Sequence, residues 1–241
     1  MNYLIEIAVT DHPTAKAAVA GGADRIELCC ALSEGGITPS YGLVRQCRQD
    51  FTIPLFPIIR PHAGDFLYNE EEFKIIQQDV QLCKQLGCDG IVVGFLQKDG
   101  TIDRRKTGFI QELAYPMELT FHRAFDRVLD PFAALEELIG LGCQRILTSG
   151  QQPTAPEGAR LLQQLVEAAA GRIIVMPGSG VKPGNIKGLA EQTGAVEFHA
   201  SLRAAIPSEM KFLHPAFSHT DDYTRAAVLE EDVRKLKQAL L

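Results

Sequence analysis

The chain lacks any stretch approaching the ~18 uninterrupted apolar residues that a membrane-spanning helix needs, so a membrane partner is not expected. It also lacks a cluster of basic residues. Lys and Arg total 24 against 30 Asp and Glu, a formal net charge of −6, and runs such as Glu70-Glu71-Glu72 and Glu230-Glu231-Asp232 read as solvated helix faces. The electrostatic footprint of a nucleic-acid binder is therefore missing. Met1-Asn2-Tyr3-Leu4-Ile5-Glu6 has no basic segment leading into an apolar run and a cleavage site, so it does not read as a secretory signal, and a cytoplasmic location is expected. The six cysteines, at 29, 30, 47, 83, 88 and 143, match neither a zinc ribbon nor a thioredoxin-type pair and read as free thiols. No nucleotide or flavin motif occurs.

What remains is an ordinary packed composition, 46% hydrophobic and 22% charged, which excludes disorder. Short β-branched runs alternate with longer helical patterns. Strands are predicted at Leu4–Val9, Arg25–Cys29, Pro54–Arg60, Gly90–Gly94, Met117–His122, Arg145–Ser149, Ile173–Met176 and Val196–His199. Helices are predicted between them over Pro13–Ala20, Tyr41–Arg48, Glu71–Leu86, Arg105–Ala114, Pro131–Leu141, Pro156–Ala170 and Pro183–Gln192, with a last one over Tyr223–Leu241. Phe73, Ile76, Val80 and Cys83 recur at three- and four-residue spacing, the stripe of a helix packed on one face. Repeated β-then-α order with right-handed crossovers means a parallel sheet. Eight such units of about 30 residues each, with no composition break, point to an α/β fold in which residues 1–241 form one (β/α)8 TIM-type barrel domain.

In a barrel of this kind the chemistry collects at the carboxyl ends of the strands. The polar residues there are Glu6 on the first strand, Glu27 and Cys29 on the second, and Arg60 at the end of the third. His122 and Arg123 end the fifth, with Asp126 following; Ser149 ends the sixth, Ser179 follows the seventh, and Glu197, His199 and Ser201 belong to the eighth. Glu6 and Glu27 are lone carboxylates among aliphatic residues, so parity turns them toward the barrel interior, where Arg60 is expected to neutralise one of them. The cluster reads either as a structural ion-pair layer or as a general acid/base site. In the second reading Glu6, Glu27, His122, Asp126 and His199 are the catalytic candidates, and Arg60 and Arg123 bind an anion.

Pro177-Gly178-Ser179-Gly180-Val181, with Asn185 at a helix start, sits where barrels bind phosphate through backbone N–H groups. Glycines also serve there simply to turn the chain. Ser149, Ser179, Asn185 and Ser201 complete the substrate-binding candidates, for a small anionic or phosphorylated molecule. The connection 202–222 is too long for a plain βα turn and reads as a lid or an oligomer contact. Parity aims Cys29 at the barrel mouth and Cys30 at the helix layer, so the two sulfurs do not share one metal.

Several ordered segments resemble the CutC family, whose members are named as copper homeostasis proteins. They are Arg25-Ile26-Glu27-Leu28-Cys29, Leu32-Ser33-Glu34-Gly35-Gly36-Ile37-Thr38-Pro39-Ser40, Ile59-Arg60-Pro61 with Gly64-Asp65-Phe66, Thr120-Phe121-His122-Arg123-Ala124-Phe125-Asp126, Arg145-Ile146-Leu147-Thr148-Ser149-Gly150, and Glu197-Phe198-His199. The resemblance implies a TIM-type barrel, a cytoplasmic location, a homo-oligomer, and copper handling with Cu(I) bound by cysteine, here Cys29. The chain departs from the family pattern at Ala8 and Ala200, where the family often has cysteine, and at His62, where arginine is usual. Two functions follow: a copper-handling protein, or an enzyme acting on a small anionic molecule.

Overall fold

The computed structural model describes residues 3–217 and 223–241. Eight parallel strands alternate with helices in chain order: β1 (Leu4–Val9), α1 (His12–Ala20), β2 (Arg25–Leu28), α2 (Tyr41–Asp50), β3 (Leu55–Pro57), α3 (Glu70–Gln85), β4 (Gly90–Val93), α4 (Arg104–Ala114), β5 (Glu118–Phe121), α5 (Pro131–Gly140), β6 (Arg145–Thr148), α6 (Ala159–Ala169), β7 (Ile174–Pro177), α7 (Ile186–Thr193) and β8 (Glu197–Ala200). Two more strands, β9 (Arg203–Pro207) and β10 (Thr224–Val228), precede the final helix α8 (Glu230–Gln238). This is the expected (β/α)8 TIM-type fold. Hydrogen bonding orders the strands as β3-β2-β1-β8 and β4-β5-β6-β7. The Ile58–Val92 bridge joins β3 to β4, and β7 packs beside β8. No helix among the described residues is long and apolar enough to cross a membrane.

Local chemistry explains the element ends. Asn69 caps α3 by accepting from the Glu72 N–H while the Glu72 carboxylate accepts from the Asn69 N–H, a reciprocal capping box. Asp11 forms the same kind of box with Thr14 at α1, and Asp130 caps α5 by accepting from the Phe132 and Ala133 N–H groups, each helix having proline in its first turn. The α3 stripe of Phe73, Ile76, Val80 and Cys83 is buried as its spacing predicts. Strand residues of one parity, such as Ile5, Ile7, Val9, Ile26 and Leu28, pack outward against the helices in the main core. The opposite parity fills the interior, where Cys29, Phe56, Ile58 and Val92 form a separate apolar cluster.

Two expectations need correction. The third strand is shorter than Pro54–Arg60: regular pairing covers Leu55–Pro57 and continues only as the bridge at Ile58, because proline has no N–H to donate to a ladder. The span Tyr223–Leu241 is not one helix. Ala226, Ala227 and Val228 pair antiparallel with Ala205, Ala204 and Arg203, so a strand partner overrides the helical preference of alanine until α8 begins at Glu230. The 202–222 connection thus supplies one strand, β9, of a two-stranded ribbon completed by β10, and Leu202 and Arg203 at its base border the barrel mouth. Residues 218–222 of that connection, His219 included, lie outside the described residues.

Inside the barrel Phe56 packs against two guanidinium groups, with Arg25 5.0 Å and Arg145 5.5 Å from its ring centroid. Gly90 on the neighbouring strand leaves the space its ring occupies, since a Cβ at position 90 would overlap Phe56. Gly90→Ala is expected to destabilise the protein by about 1–3 kcal/mol through overpacking. Urea unfolding checks this, and an unchanged midpoint would show that Phe56 has room to retreat.

Candidate active site at the barrel mouth

Strand register brings the charged residues together. Glu6 on β1 lies opposite Arg25 on β2 and His199 on β8, while Ala8 lies opposite Glu27. Side chains inside the barrel therefore stack in layers, as in other packed barrel interiors. At the floor, Arg25 donates from Nε to Glu6 Oε2 and from Nη2 to Glu197 Oε2 at 2.6 Å. Arg145 donates from Nε to the same Glu197 oxygen at 2.6 Å and reaches the half-exposed Glu118 at 3.1 Å. The pairs among Glu6, Arg25, Glu197 and Arg145 span β1, β2, β6 and β8 and are almost sealed from water, with Glu6 0% and Arg25 3% exposed.

Arg25, Arg145 and Glu197 in this role were not among the predicted site residues. Their signal was the parity rule itself, since Arg25 shares a face with Glu27 and begins a strand otherwise made of aliphatic residues. Arg60 does not neutralise Glu6 or Glu27 as expected. Its Nη1 donates to the carbonyls of Glu34 (2.7 Å) and Gly36 (2.9 Å), and its Nη2 to the carbonyl of Gly64 (2.9 Å). The chain bends away after Pro57, which carries Arg60 above the carboxylates.

One layer higher, His199 Nδ1 bonds to Glu6 Oε1 at 2.7 Å, and its Nε2 faces Glu27 Oε2 at 3.6 Å. The second distance is beyond a direct hydrogen bond, so the two groups face each other across a gap. Burial disfavours charge on both glutamates, but the outcomes differ. Arg25 and His199 outweigh burial at Glu6 and hold its carboxyl at about 2, below the usual 4.5. At Glu27 burial prevails, helped by Glu6 and opposed by His199 and Arg25, and pushes the carboxyl up to about 7. At His199 burial works against the charged ring, and Glu27 and Glu6 together overcome it, raising its pKa. The layer therefore holds a proton that Glu27 and His199 compete for near neutral pH, the condition for acid/base work.

Above this layer opens a cavity of about 740 Å3, within the usual range for small-molecule sites. Of the predicted catalytic residues, Glu27, His122 and His199 line it; Glu6 lies beneath His199, and Asp126 is withdrawn. Asp126 accepts from Arg123 Nε (2.7 Å), the Thr148 hydroxyl (2.5 Å) and the Ser149 N–H (2.9 Å), so its oxygens brace the loops after β5 and β6. Of the predicted binding residues, Arg60, Arg123, Ser179 and Ser201 line the cavity. Ser149 is fully buried between Asp126 and Arg123, and Asn185 spends its amide on the Lys182 N–H and the Gly180 carbonyl, bracing the loop after β7. Arg127, Lys182 and Arg203 also line the cavity and escaped the sequence reading, because loop geometry rather than strand parity brings them there.

Cys29 faces the interior as parity predicts, but it does not reach the mouth. It is 0% exposed, packed with Phe56, Ile58 and Val92, and covered by Gly36, whose φ of +85° lets the loop lie close over it. Burial and the nearby Glu27 push its thiol far above the usual range. Cys30 turns the other way and donates to the Thr38 carbonyl at 3.0 Å. Among the described residues, the one grouping of three side chains with metal-ligand spacing is Glu6, Glu27 and His199, which contains no sulfur. Cu(I) selects soft thiolate donors, so a Cu(I) site on Cys29 does not fit this arrangement.

Comparison with known proteins gives a consistent set of relatives. A model of the CutC family matches residues 3–204. The family protein CutC of Chromobacterium violaceum is 47% identical, covering 100% of this chain and 99% of the relative. The human copper homeostasis protein cutC homolog is 48% identical, covering 87% of this chain and 77% of the relative. The CutC crystal structure from Streptococcus agalactiae superposes with a TM-score of 0.79 at 30% identity, covering 83% of this chain and 98% of that one. Phosphoribosylanthranilate isomerase from Thermotoga maritima shares the fold alone, at 9% identity, a TM-score of 0.60, and 99% and 98% coverage.

The floor and the layer above it respond oppositely to pH. Glu6, depressed to about 2, contributes stability that is complete above about 4.5 and is lost as pH falls toward 2. Glu27, raised to about 7, contributes stability that is complete below about 4.5 and is lost as pH rises through 7, and His199 contributes in the same sense across its own raised value. Urea midpoints measured from pH 5 to 8 are expected to fall more steeply for the natural protein than for Glu27→Gln. Parallel declines would show that Glu27 is ionised throughout. Glu6→Ala, which strips one of the two buried carboxylates from Arg25, is expected to cost about 3–5 kcal/mol at pH 7 in the same assay.

Proposed function

The chain belongs to the CutC family, and from that membership and the geometry of the mouth we propose that it is a barrel enzyme serving copper homeostasis, acting on a small anionic, phosphorylated molecule by proton transfer. The copper setting follows the names of its human and mouse relatives. The observation that carries the chemistry is the Glu6–His199–Glu27 array beneath a cavity rimmed by Arg60, Arg123, Arg127, Lys182 and Arg203. Glu6 orients His199 and fixes its Nδ1. Glu27 is the group that takes a proton from the bound molecule or returns it. The rim arginines and Lys182 draw an anion in, with the loop after β7 and the start of β9 as the phosphate end. Six free thiols support a reducing, cytoplasmic setting.

Inorganic phosphate is the probe that tests the anion site. In amide NMR of the full chain, phosphate is expected to shift Gly180, Val181, Lys182 and Arg203, and Arg203→Ala to weaken binding about tenfold, the loss of one charge-assisted hydrogen bond. Phosphate that leaves these amides unmoved would sink the anionic-substrate reading.

A second reading takes the relatives' name literally and places Cu(I) on Cys29, which does face the barrel interior. The buried, protonated thiol, and Cys30 turning its sulfur the other way, weigh against that reading. In competition with a Cu(I) chelator, Cys29→Ser is expected to leave Cu(I) affinity unchanged. A loss of tenfold or more would restore the thiolate role.

A further inference from the structure

Arg60 and His122 lie on the side of the mouth formed by the ends of β3 and β5, across from Lys182 and Arg203, and neither has its polar needs met. Arg60 is 4% exposed, yet the partners of its Nη atoms are three backbone carbonyls, and its Nε has no hydrogen-bond partner among the described residues, the neighbouring Tyr68 hydroxyl being neutral. No carboxylate among the described residues pairs with it, so its charge is buried without a counter-ion. A buried charge in this state is costly and favours an incoming anion.

His122 is equally buried at 4% exposure. Its Nδ1 accepts from the Ala124 N–H at 3.1 Å, which puts the ring proton on Nε2, and that Nε2 has no partner. Burial and the nearby Arg60 charge lower its pKa to about 3, so the ring stays neutral and serves as a donor rather than a cation. The Phe66 ring lies 5.2 Å from the Arg60 guanidinium and 4.8 Å from the His122 ring, holding the two side by side. Gly94 beneath them has no Cβ, and one there would overlap the His122 ring. The two groups therefore offer a fixed positive charge and an oriented N–H at the wall of the same cavity.

We propose that Arg60 and His122 form a carboxylate subsite, so that the molecule bound in the mouth carries a carboxylate at the end opposite its phosphate. This rests on the anion-binding reading of the mouth and names the substrate class more closely. Charge selects a carboxylate over a second phosphate. Three of the five Arg60 N–H donors go to carbonyls, so one Nη2–H, the Nε–H and the His122 Nε2–H remain. The one uncompensated positive charge balances a carboxylate monoanion and leaves a phosphate dianion only half-balanced.

The test uses the full chain with 15N-labelled histidine and three probes: acetate, acetamide and inorganic phosphate. Acetate is expected to shift the His122 Nε2 signal, to bind at least tenfold more tightly than acetamide, and to lose about tenfold in affinity with His122→Phe. His122→Gln, which keeps an N–H donor, is expected to recover part of that loss, and an unchanged amide spectrum elsewhere shows that each variant is folded. Acetamide binding as well as acetate would overturn the charge requirement and leave a neutral carbonyl as the ligand. Acetate binding equally to the natural protein and folded His122→Phe would overturn the subsite. Phosphate shifting Gly180–Lys182 while acetate leaves His122 unmoved defeats this proposal alone; neither probe binding defeats the anionic-substrate reading with it.

Discussion

The Arg25 guanidinium, clamped between Glu6 and Glu197 inside the barrel, is the contact on which the arrangement of the site depends. Two carboxylates and two arginines, Arg25 and Arg145, balance at the floor, and the Phe56 ring packs against both guanidinium groups. A buried charge costs several kcal/mol unless it is paired and hydrogen bonded, so this set is stable only when every member is present and in register. The set also connects strands from both four-stranded sheets, because Glu197 on β8 binds Arg25 on β2 and Arg145 on β6. Packing of an apolar interior would close the barrel as well, but it would not fix which residue stands beneath His199.

That fixed floor sets the chemistry above it. Glu6 uses one oxygen on Arg25 and the other on His199, so its ionised form is held by two partners and its carboxyl stays acidic. Glu27, two residues along β2 from Arg25, has no such direct partner and becomes a weak acid of about 7. Two carboxylates on adjacent strands thus separate into a structural anion and a proton carrier, which is how environment divides labour between like groups. The interior cysteine stands apart from this chemistry. Its cover of Gly36 and its apolar neighbours keep its thiol buried and protonated, apart from the charged layer.

The site was legible from the sequence to the extent that strand parity governs it. Alternation turns Glu6 and Glu27 inward and the strand ends put His122 and His199 at the mouth, and Glu27, His122 and His199 do line the cavity. Parity does not say how high along the axis a side chain sits, so it does not separate Arg25, which reaches Glu6, from Arg60, which ends on loop carbonyls. It also cannot show where a polar residue beyond a strand end turns. Asp126, Ser149 and Asn185 have the right chemistry for a substrate and spend it on neighbouring backbone and side chains. Arg127, Lys182 and Arg203 reach the mouth through loops whose paths depend on long-range packing.

By itself the sequence determined the (β/α)8 architecture, since the alternation of β-branched runs with helical stripes needs only local periodicity, and it determined which strand face each residue occupies. Only the tertiary structure decided the partners. The pairing of β1 with both β2 and β8 puts Glu6 between Arg25 and His199, the strand pair at Ala204–Ala227 replaces an expected helix, and the fold over Gly36 seals Cys29. The strand pairings join residues far apart in the chain, and the energies of all three come from burial and desolvation, which no local pattern records.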